Sequence, residues 1–121
     1  MNRQYDTIQA EDRGQGLLLL ILNRPAVANA MNTQMGRDLL AFFDEMDAAS
    51  GAQRCIVLTG AGERAFCAGG DLKERSGMTD EAWQAQHLLF ERMIRAFIAC
   101  PVPMIGAVNG AAYAGGCEMA L

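Results

Sequence analysis

The chain has 121 residues, 51% of them hydrophobic, and a formal net charge of −4. This hydrophobic content is enough to bury a core, so a compositionally disordered chain is excluded, and the length corresponds to one domain or part of one. The ten Lys and Arg side chains form no basic stripe, which argues against a nucleic-acid partner because phosphate binding needs clustered cations.

The amino terminus and the cysteines indicate a cytoplasmic protein with reduced thiols. Residues 1–12 are polar and carry both charge signs, without the apolar core or the cleavage site of a signal peptide. The longest aliphatic run, Leu17 to Leu22, is too short to span a membrane. His87 is the single histidine and the four cysteines form no C-x-x-C pair, so we expect neither disulfides nor a metal site.

The first elements predicted along the chain form a β-hairpin. Strand-like alternation runs from Tyr5 to Glu11, residues 13–16 supply a turn, and the aliphatic run 17–22 is typical of a buried strand. Pro25 ends this strand because proline cannot donate to a ladder. The residues from Ala26 to Met31 are then predicted to form a loop.

An amphipathic helix and another buried strand are predicted next. Apolar residues recur at spacings of three and four from about Asn32 to Ala49, and Gly51 is a typical helix end. Residues 55–59 predict a buried strand, 63–70 a loop and 71–75 a short helix. The polar residues predicted to fill the face opposite the apolar one in the long helix are Arg37, Asp38, Asp44, Glu45 and Asp47.

The last third of the chain predicts a long helix, a strand and the beginning of a further helix. Thr79 precedes acidic residues and is a typical N-cap for a helix that runs to about Ala99. Residues 104–109 predict a strand and 110–114 a loop, with Gly115 beginning a helix. The residues predicted to face inward from the long helix are Trp83, Phe90, Met93, Ile94 and Phe97. This alternation of strands and helices indicates an α/β fold.

Two segments share one design, in which a strand leads through a glycine-rich loop into a helix. They run from Cys55 to Asp71 and from Ile105 to Leu121. Glycine lets a ligand approach the backbone closely, and the first N–H groups of a helix have no intrahelical partner. Two converging N–H donors would make an oxyanion hole.

Glu118 follows Gly115 by three residues and would lie beside such a site. A carboxylate there can take or give a proton at a carbon whose acidity the oxyanion hole has raised. The alternative is an ordinary first-turn glutamate, favoured by the helix dipole. The matching glycine-rich loop upstream favours the catalytic interpretation.

These segments resemble the two oxyanion segments of the crotonase superfamily, the enoyl-CoA hydratase/isomerase enzymes. The first is Phe66-Cys-Ala-Gly-Gly-Asp-Leu72, and the second is Ile105-Gly-Ala-Val-Asn-Gly-Ala-Ala-Tyr-Ala-Gly-Gly-Cys-Glu-Met-Ala-Leu121. The stretches that resemble the early strands of the family are Leu22-Asn-Arg-Pro25, Asn29-Ala30 and Ile56-Val-Leu-Thr-Gly60. The resemblance covers nearly the whole chain. It implies a crotonase-like ββα spiral, with residues 1–121 as the N-terminal part of a single domain.

The resemblance also implies roles for particular residues. The amides of Gly70 and Gly115 would bind the thioester oxygen of an acyl-CoA. Glu118 would match the first of two glutamates used by hydratases of the family, and the second would fall beyond Leu121. No metal or redox cofactor is implied, because coenzyme A is part of the substrate and amides meet the enolate charge. The residues implied to line the coenzyme A site are Ala26, Val27, Ala28, Ala68, Gly69, Gly70, Asp71 and Leu72.

By the same resemblance, the whole protein is expected to act on an acyl-CoA thioester of fatty acid metabolism, first of all by trans-2-enoyl-CoA hydration. An enoyl-CoA isomerase or another crotonase-type reaction is the alternative, because family members that lack one glutamate include such enzymes. Members are longer and form trimers or dimers of trimers. The chain is therefore expected either to continue beyond Leu121 or to be a truncated, non-catalytic domain.

Several residues carry competing interpretations. Residues 60–65 fit the dinucleotide pattern G-x-G-x-x-A, but a further loop follows where a helix should begin. Cys67 and Cys117 are predicted to be small filler residues, because no motif pairs either with a histidine base. Asp71 is predicted to cap the helix that follows it. His87 is predicted to be buried or at the edge of the apolar face. The candidates for coenzyme A phosphates, or else for solvated surface cations, are Arg24 and Arg64.

Overall fold

The computed structural model describes residues 5–48 and 51–121 and shows a four-stranded sheet with helices packed against it. The strands are β1 (Ile8–Asp12), β2 (Leu17–Leu22), β3 (Cys55–Gly60), β4 (Ala65–Cys67), β5 (Met104–Gly106) and β6 (Ala111–Ala112). The helices are α1 (Thr33–Ala48), α2 (Leu72–Ser76), α3 (Asp80–Ile98) and α4 (Gly115–Ala120), with a 3₁₀ turn over Pro25–Val27. The predicted α/β class is confirmed.

The main sheet has the strand order β1-β2-β3-β5. β1 and β2 form the predicted antiparallel hairpin, with Ile8 opposite Leu22, whereas β2–β3 and β3–β5 are parallel. Parallel neighbours need a crossover connection, which α1 supplies between β2 and β3 and α3 supplies between β3 and β5. The carboxyl ends of β2, β3 and β5 therefore share one edge of the sheet, and the loops that carry the candidate site leave from that edge.

One face of this sheet is buried, and the helices cover it. Along β2 and β3 fully buried residues alternate with more exposed ones. Both strands were predicted to be buried, and the structure shows burial on one face of each. The ring of Phe43 meets Phe42 and also Phe97 of α3 edge to face, with centroids 5.2 and 5.3 Å apart. The residues of α1 that complete this core are Met35, Leu39, Phe42, Phe43 and Met46. Within the described ranges, no helix is long and apolar enough to cross a membrane.

Two short strands were not predicted. β4 and β6 pair in parallel as a second small sheet, with Ala65 opposite Ala111 and Cys67 opposite Ala112. They were assigned to loops because strands of three and two residues between glycines are too short to show a period. β5 is also shorter than its predicted range, since the chain leaves the main sheet after Gly106 to reach β6. The predicted last residue of α1, Ala49, lies outside the described residues.

Two side chains differ from their predicted exposure, and a third agrees with one of its two predicted positions. Asp38 was predicted on the polar face of α1, but it is buried and accepts hydrogen bonds from the backbone N–H (2.9 Å) and the hydroxyl (2.6 Å) of Thr7. Trp83 was predicted to face inward, but it is 50% exposed. His87 is exposed and stacks on Trp83 with ring centroids 5.5 Å apart, so of its two predicted positions the buried one is wrong and the edge of the apolar face agrees with the structure. Helical spacing identified the apolar face of α3 correctly but extended it one turn too far towards the N-terminus, to Trp83.

Asn29 is fully buried and holds the turn that follows β3. Its Nδ2 donates to the carbonyls of Ala61 (3.0 Å) and Ala65 (2.9 Å), and its Oδ1 accepts from the backbone N–H of Arg24 (2.9 Å). Its φ of 56° lies in the left-handed region, which asparagine tolerates better than most residues. Because this turn leads into β4 and not into a helix, residues 60–65 lack the geometry of a dinucleotide site.

Replacing Asn29 by alanine is expected to lower the free energy of unfolding of the whole protein by about 2–4 kcal/mol, because three backbone groups lose their partners in a buried place. Asn109 holds the same turn from an exposed position, donating to the carbonyl of Gly60 (2.9 Å), and is the matched control. Water can replace its bonds, so Asn109→Ala should cost less than half as much. Urea denaturation of both variants measures the difference, and equal losses would contradict the role given to Asn29.

Candidate active site

The second small sheet brings the two glycine-rich segments together. Beyond the β4–β6 pairing, the N–H of Tyr113 donates to the carbonyl of Cys67 at 3.0 Å. A Cβ on Gly69 would lie 2.9 Å from the carbonyl oxygen of Tyr113 and 3.5 Å from the amide nitrogen of Gly115. At Gly116 a Cβ would collide with the backbone of Cys67. Glycine is thus required where the two loops touch.

A cavity of about 300 Å³ opens beside this contact. Gly70, Ala114 and Gly115 supply backbone to its lining, and Arg75 and Glu118 supply charged side chains. The remaining wall is apolar and is formed by Met31, Phe90, Met93 and Ile94. All three residues predicted to be catalytic, Gly70, Gly115 and Glu118, therefore line one cavity, although the first and the last are 48 positions apart in the sequence.

The amide N–H groups of Gly70 and Gly115 have no hydrogen-bond acceptor among the described residues. The amides beside them are satisfied: the N–H of Asp71 donates to the carbonyl of Met31 (3.0 Å), and that of Gly116 donates to the carbonyl of Tyr113 (2.8 Å). Backbone donors without a partner are uncommon in folded proteins. Here both belong to residues that line one cavity, which is the feature expected of an oxyanion hole.

The backbone of Ala114 is in an unusual conformation at this site. Its φ of 47° and ψ of −118° lie in a region that residues with a Cβ rarely adopt. Ala114 immediately precedes α4, so this conformation sets the direction in which the N–H of Gly115 points. Such strain costs on the order of 1–3 kcal/mol and is concentrated at functional sites.

Glu118 lies in the first turn of α4, as predicted. Its side chain is exposed to the cavity, and its carboxylate has no hydrogen-bond or ion-pair partner among the described residues. A helix-capping role would require the carboxylate to accept from a backbone N–H at the start of the helix. It accepts no such bond here, so Glu118 does not cap α4 through its carboxylate.

The two segments predicted to line a coenzyme A site lie side by side. The N–H of Ala68 donates to the carbonyl of Ala28 at 3.0 Å, and the N–H of Met31 donates to the carbonyl of Gly69 at 2.7 Å. Ala26 and Val27 form the exposed 3₁₀ turn, and Leu72 is 75% exposed. Of the eight predicted residues, Gly70 alone lines the cavity, and the other seven lie in the adjoining segments 26–28 and 68–72.

Asp71 caps α2, as the sequence predicted. Its carboxylate accepts from the N–H of Glu74 (3.1 Å) and pairs with Arg24 (3.0 Å). The Glu74 amide first, and then Arg24, lower the pKa of this carboxyl below its usual value despite partial desolvation. Arg24 also donates to the carbonyl of Ala30 at 2.7 Å, so its guanidinium joins two loops in place of being a solvated surface group. Arg64 remains exposed.

Replacing Asp71 by alanine is expected to lower the free energy of unfolding of the whole protein by about 1–2 kcal/mol at neutral pH, because both the cap and the ion pair are lost. The folded pKa of Asp71 is lowered, so its stabilisation is present above the unfolded pKa and is lost as pH falls through the folded value. The difference in the free energy of unfolding between wild type and variant should therefore disappear at acidic pH. Asp71→Asn keeps a capping oxygen and should lose less. A difference in the free energy of unfolding that does not change with pH would contradict this role of the Asp71 carboxylate.

The two loop cysteines differ in their surroundings. Cys67 is buried, and burial raises the pKa of its thiol, while its Sγ accepts from the N–H of Gly69 at 3.4 Å. A thiol that stays protonated is a poor nucleophile. Cys117 is exposed on α4. Within residues 5–48 and 51–121, no cluster of three His, Cys, Asp or Glu side chains could hold a metal ion.

Sequence reasoning missed a polar network that joins α1, α2 and α3 beside the cavity. Glu74 accepts from the N–H and the hydroxyl of Thr33, and the Nε2 of Gln86 donates to both Glu74 (2.7 Å) and Thr33 (2.9 Å). One signal was available. Gln86 is a polar residue placed three positions after Trp83 and four before Phe90, on the stripe otherwise predicted to be apolar.

Known proteins resemble this chain over almost its whole length. The profile of the family described as enoyl-CoA hydratase/isomerase matches residues 12–121. The putative enoyl-CoA hydratase/isomerase YngF of Bacillus subtilis is 40% identical over 116 residues, which are 96% of this chain and 44% of that protein. The 1,2-epoxyphenylacetyl-CoA isomerase of Escherichia coli is 34% identical over 111 residues, 88% of this chain and 42% of its own.

A solved structure shows the same fold. The enoyl-CoA hydratase of Bacillus anthracis superposes with a TM-score of 0.88 at 32% identity, over 95% of this chain and 44% of that chain. This similarity confirms the expected crotonase-like fold as an N-terminal portion. The chain spans less than half the length of the relatives it matches.

Proposed function

The chain belongs to the enoyl-CoA hydratase/isomerase family, and we propose that the whole protein hydrates trans-2-enoyl-CoA thioesters. The thioester enolate would be stabilised in an oxyanion hole formed by the amides of Gly70 and Gly115. The observation that carries this proposal is the pair of N–H groups without acceptors that lines one cavity with the free carboxylate of Glu118. Residues 1–121 would form the first part of a single domain.

The chemistry uses both features of the cavity. Hydration joins the oxygen of water to the β-carbon and a proton to the α-carbon, and negative charge collects on the thioester oxygen in between. Preorganised N–H donors favour that charge more than they favour the neutral thioester, so they lower the barrier. Glu118 would hold or transfer a proton as a general acid–base group.

Coenzyme A would lie along segments 26–28 and 68–72. These segments touch through the hydrogen bond from Ala68 to Ala28 and lead to Gly70 at the cavity. Since the carboxylate of Asp71 is engaged by Glu74 and Arg24, this residue would shape the site through the α2 cap. Amides meet the enolate charge in this proposal, so no metal or redox cofactor is needed. By family resemblance, the whole protein would assemble as a trimer or a dimer of trimers.

Isomerisation of an enoyl-CoA is the second candidate, because two relatives are described as enoyl-CoA isomerase/hydratase. The whole protein should be assayed with trans-2-butenoyl-CoA, following the ultraviolet absorbance of the conjugated thioester and the gain of one water by mass. A 3-enoyl-CoA serves as the isomerase substrate, and its absorbance would rise. Hydration of trans-2-butenoyl-CoA supports the proposal, and turnover of the 3-enoyl-CoA alone favours the isomerase. If neither substrate is turned over and no acyl-CoA is bound, both functions are contradicted.

A further inference from the structure

The guanidinium of Arg75 lies beside Gly70, one of the two proposed oxyanion donors. Arg75 is in α2 and lines the same cavity as Gly70 and Glu118. A Cβ built on Gly70 would lie 2.6 Å from Nη2 and 2.7 Å from Cζ of Arg75. The guanidinium therefore lies within about 4 Å of the α-carbon of Gly70. A thioester oxygen bound at that amide would have a cation as its near neighbour.

The position of Arg75 is supported by buried groups. Gln86 is 4% exposed, and its Nε2 donates to the hydroxyl of Thr33 and the carboxylate of Glu74. Both amide protons are used in this way, so the Oε1 of Gln86 is directed towards Arg75, whose Nε donates to it at 3.4 Å. Arg75 is exposed, and this hydrogen bond from α2 to α3 orients its guanidinium at the cavity.

The terminal nitrogens of Arg75 have no acceptor among the described residues. Arg24 is paired with Asp71, whereas Arg64, like Arg75, has no ion-pair partner among the described residues. Arg75 differs from Arg64 because it lines the cavity. The cavity wall opposite is apolar, with Met31, Phe90 and Met93. A hydrocarbon acyl chain would use that wall but would leave the guanidinium without a partner. A fork of parallel N–H donors is the group best suited to bind a carboxylate.

We propose that the acyl group taken by this cavity carries a carboxylate, which Arg75 binds. The substrates would be monothioesters of short unsaturated dicarboxylic acids. This inference rests on the proposed function and names the substrate class of the same site. The carboxylate is a spectator: water adds its oxygen to the β-carbon and a proton reaches the α-carbon, with no change of oxidation state overall. Arg75 would also offset repulsion between this carboxylate and Glu118.

The test compares substrates that differ in the terminal carboxylate alone. The whole protein is assayed with trans-2-butenoyl-CoA and with the coenzyme A monothioesters of trans-2-pentenedioic and trans-2-hexenedioic acid. The wild type should favour one diacid thioester by about 10- to 100-fold in kcat/KM, as expected for a partly exposed charge-assisted pair. Arg75→Met should remove or reverse this preference, and Arg75→Lys should retain part of it. Arg95→Met removes an exposed arginine of α3 and should leave the ratio unchanged.

The ratio of the kcat/KM values separates the failure of this inference from the failure of the proposed function. If butenoyl-CoA is hydrated and Arg75→Met lowers kcat/KM for all substrates by the same factor, the carboxylate assignment is overturned and the hydratase proposal stands. The carboxylate assignment is also overturned, and the hydratase proposal stands, if the wild type has a lower kcat/KM for both diacid thioesters than for butenoyl-CoA. If no thioester is hydrated or bound, the proposed function fails and the inference with it. Circular dichroism and thermal unfolding confirm that the variants fold.

Discussion

Replacing Glu118 by glutamine is expected to lower kcat for enoyl-CoA hydration by the whole protein by about 10²- to 10⁴-fold, the usual contribution of a positioned acid–base group. Glutamine has nearly the same shape and keeps an oxygen at the cavity, but it cannot exchange a proton. Affinity for a non-reactive acyl-CoA should be retained, because the amides of Gly70 and Gly115 are untouched. Steady-state kinetics measures the first effect and titration calorimetry the second.

The matched control is Glu81→Gln, which changes an exposed first-turn glutamate of α3. Both glutamates lie at helix starts, so both variants lose the same favourable interaction with a helix dipole. Full activity in Glu81→Gln with a large loss in Glu118→Gln assigns the loss to proton transfer. Similar activities in the two variants would show that Glu118 acts only on helix stability.

The sequence predicted the main elements well because their periods are long. Six residues of β2 and sixteen of α1 contain enough repeats to distinguish a strand from a helix. The caps were equally clear, and both Thr79 and Asp71 accept the backbone N–H expected of an N-cap. These features depend on neighbours in sequence, which a single chain displays directly.

The features that sequence reasoning missed depend on tertiary contacts. β4 and β6 exist because each pairs with the other across more than forty residues of sequence, and neither has a period of its own. Asp38 was predicted on the polar face of α1, but it is buried and accepts two hydrogen bonds from Thr7. No sequence motif pointed to Arg75. Its relevance arises from Gln86, which orients it beside Gly70.

The candidate site was predictable in its parts but not in its geometry. Glycine-rich loops and Glu118 could be recognised as residue types, yet no sequence pattern states that the N–H groups of Gly70 and Gly115 lack acceptors. That property accompanies the left-handed Ala114 and the β4–β6 pairing, since the neighbouring amides of Asp71 and Gly116 donate to protein carbonyls and these two do not. The proposed mechanism therefore depends on the position of backbone N–H groups, which most side-chain substitutions do not change.

Replacing Gly115 by proline tests the backbone donor directly, because proline has no N–H. Gly115 is the first residue of α4, where proline costs the helix no hydrogen bond. A residue before proline is restricted, however, and Ala114 already has a φ of 47°, so the change should be made together with Ala114→Gly. The double variant is expected to lose about 10²- to 10³-fold in kcat relative to Ala114→Gly alone, the usual cost of one oxyanion donor.

Two controls make this result specific to the donor. Ala114→Gly shows the effect of relaxing the backbone by itself. Gly115→Ala adds a Cβ that meets no protein atom within 4 Å, and it keeps the N–H, so its loss should be far smaller. If the double variant hydrates butenoyl-CoA as fast as Ala114→Gly, the amide of Gly115 does not carry the enolate charge. The unsatisfied N–H would then be a consequence of the Ala114 conformation, and Gly70 alone would remain as a donor.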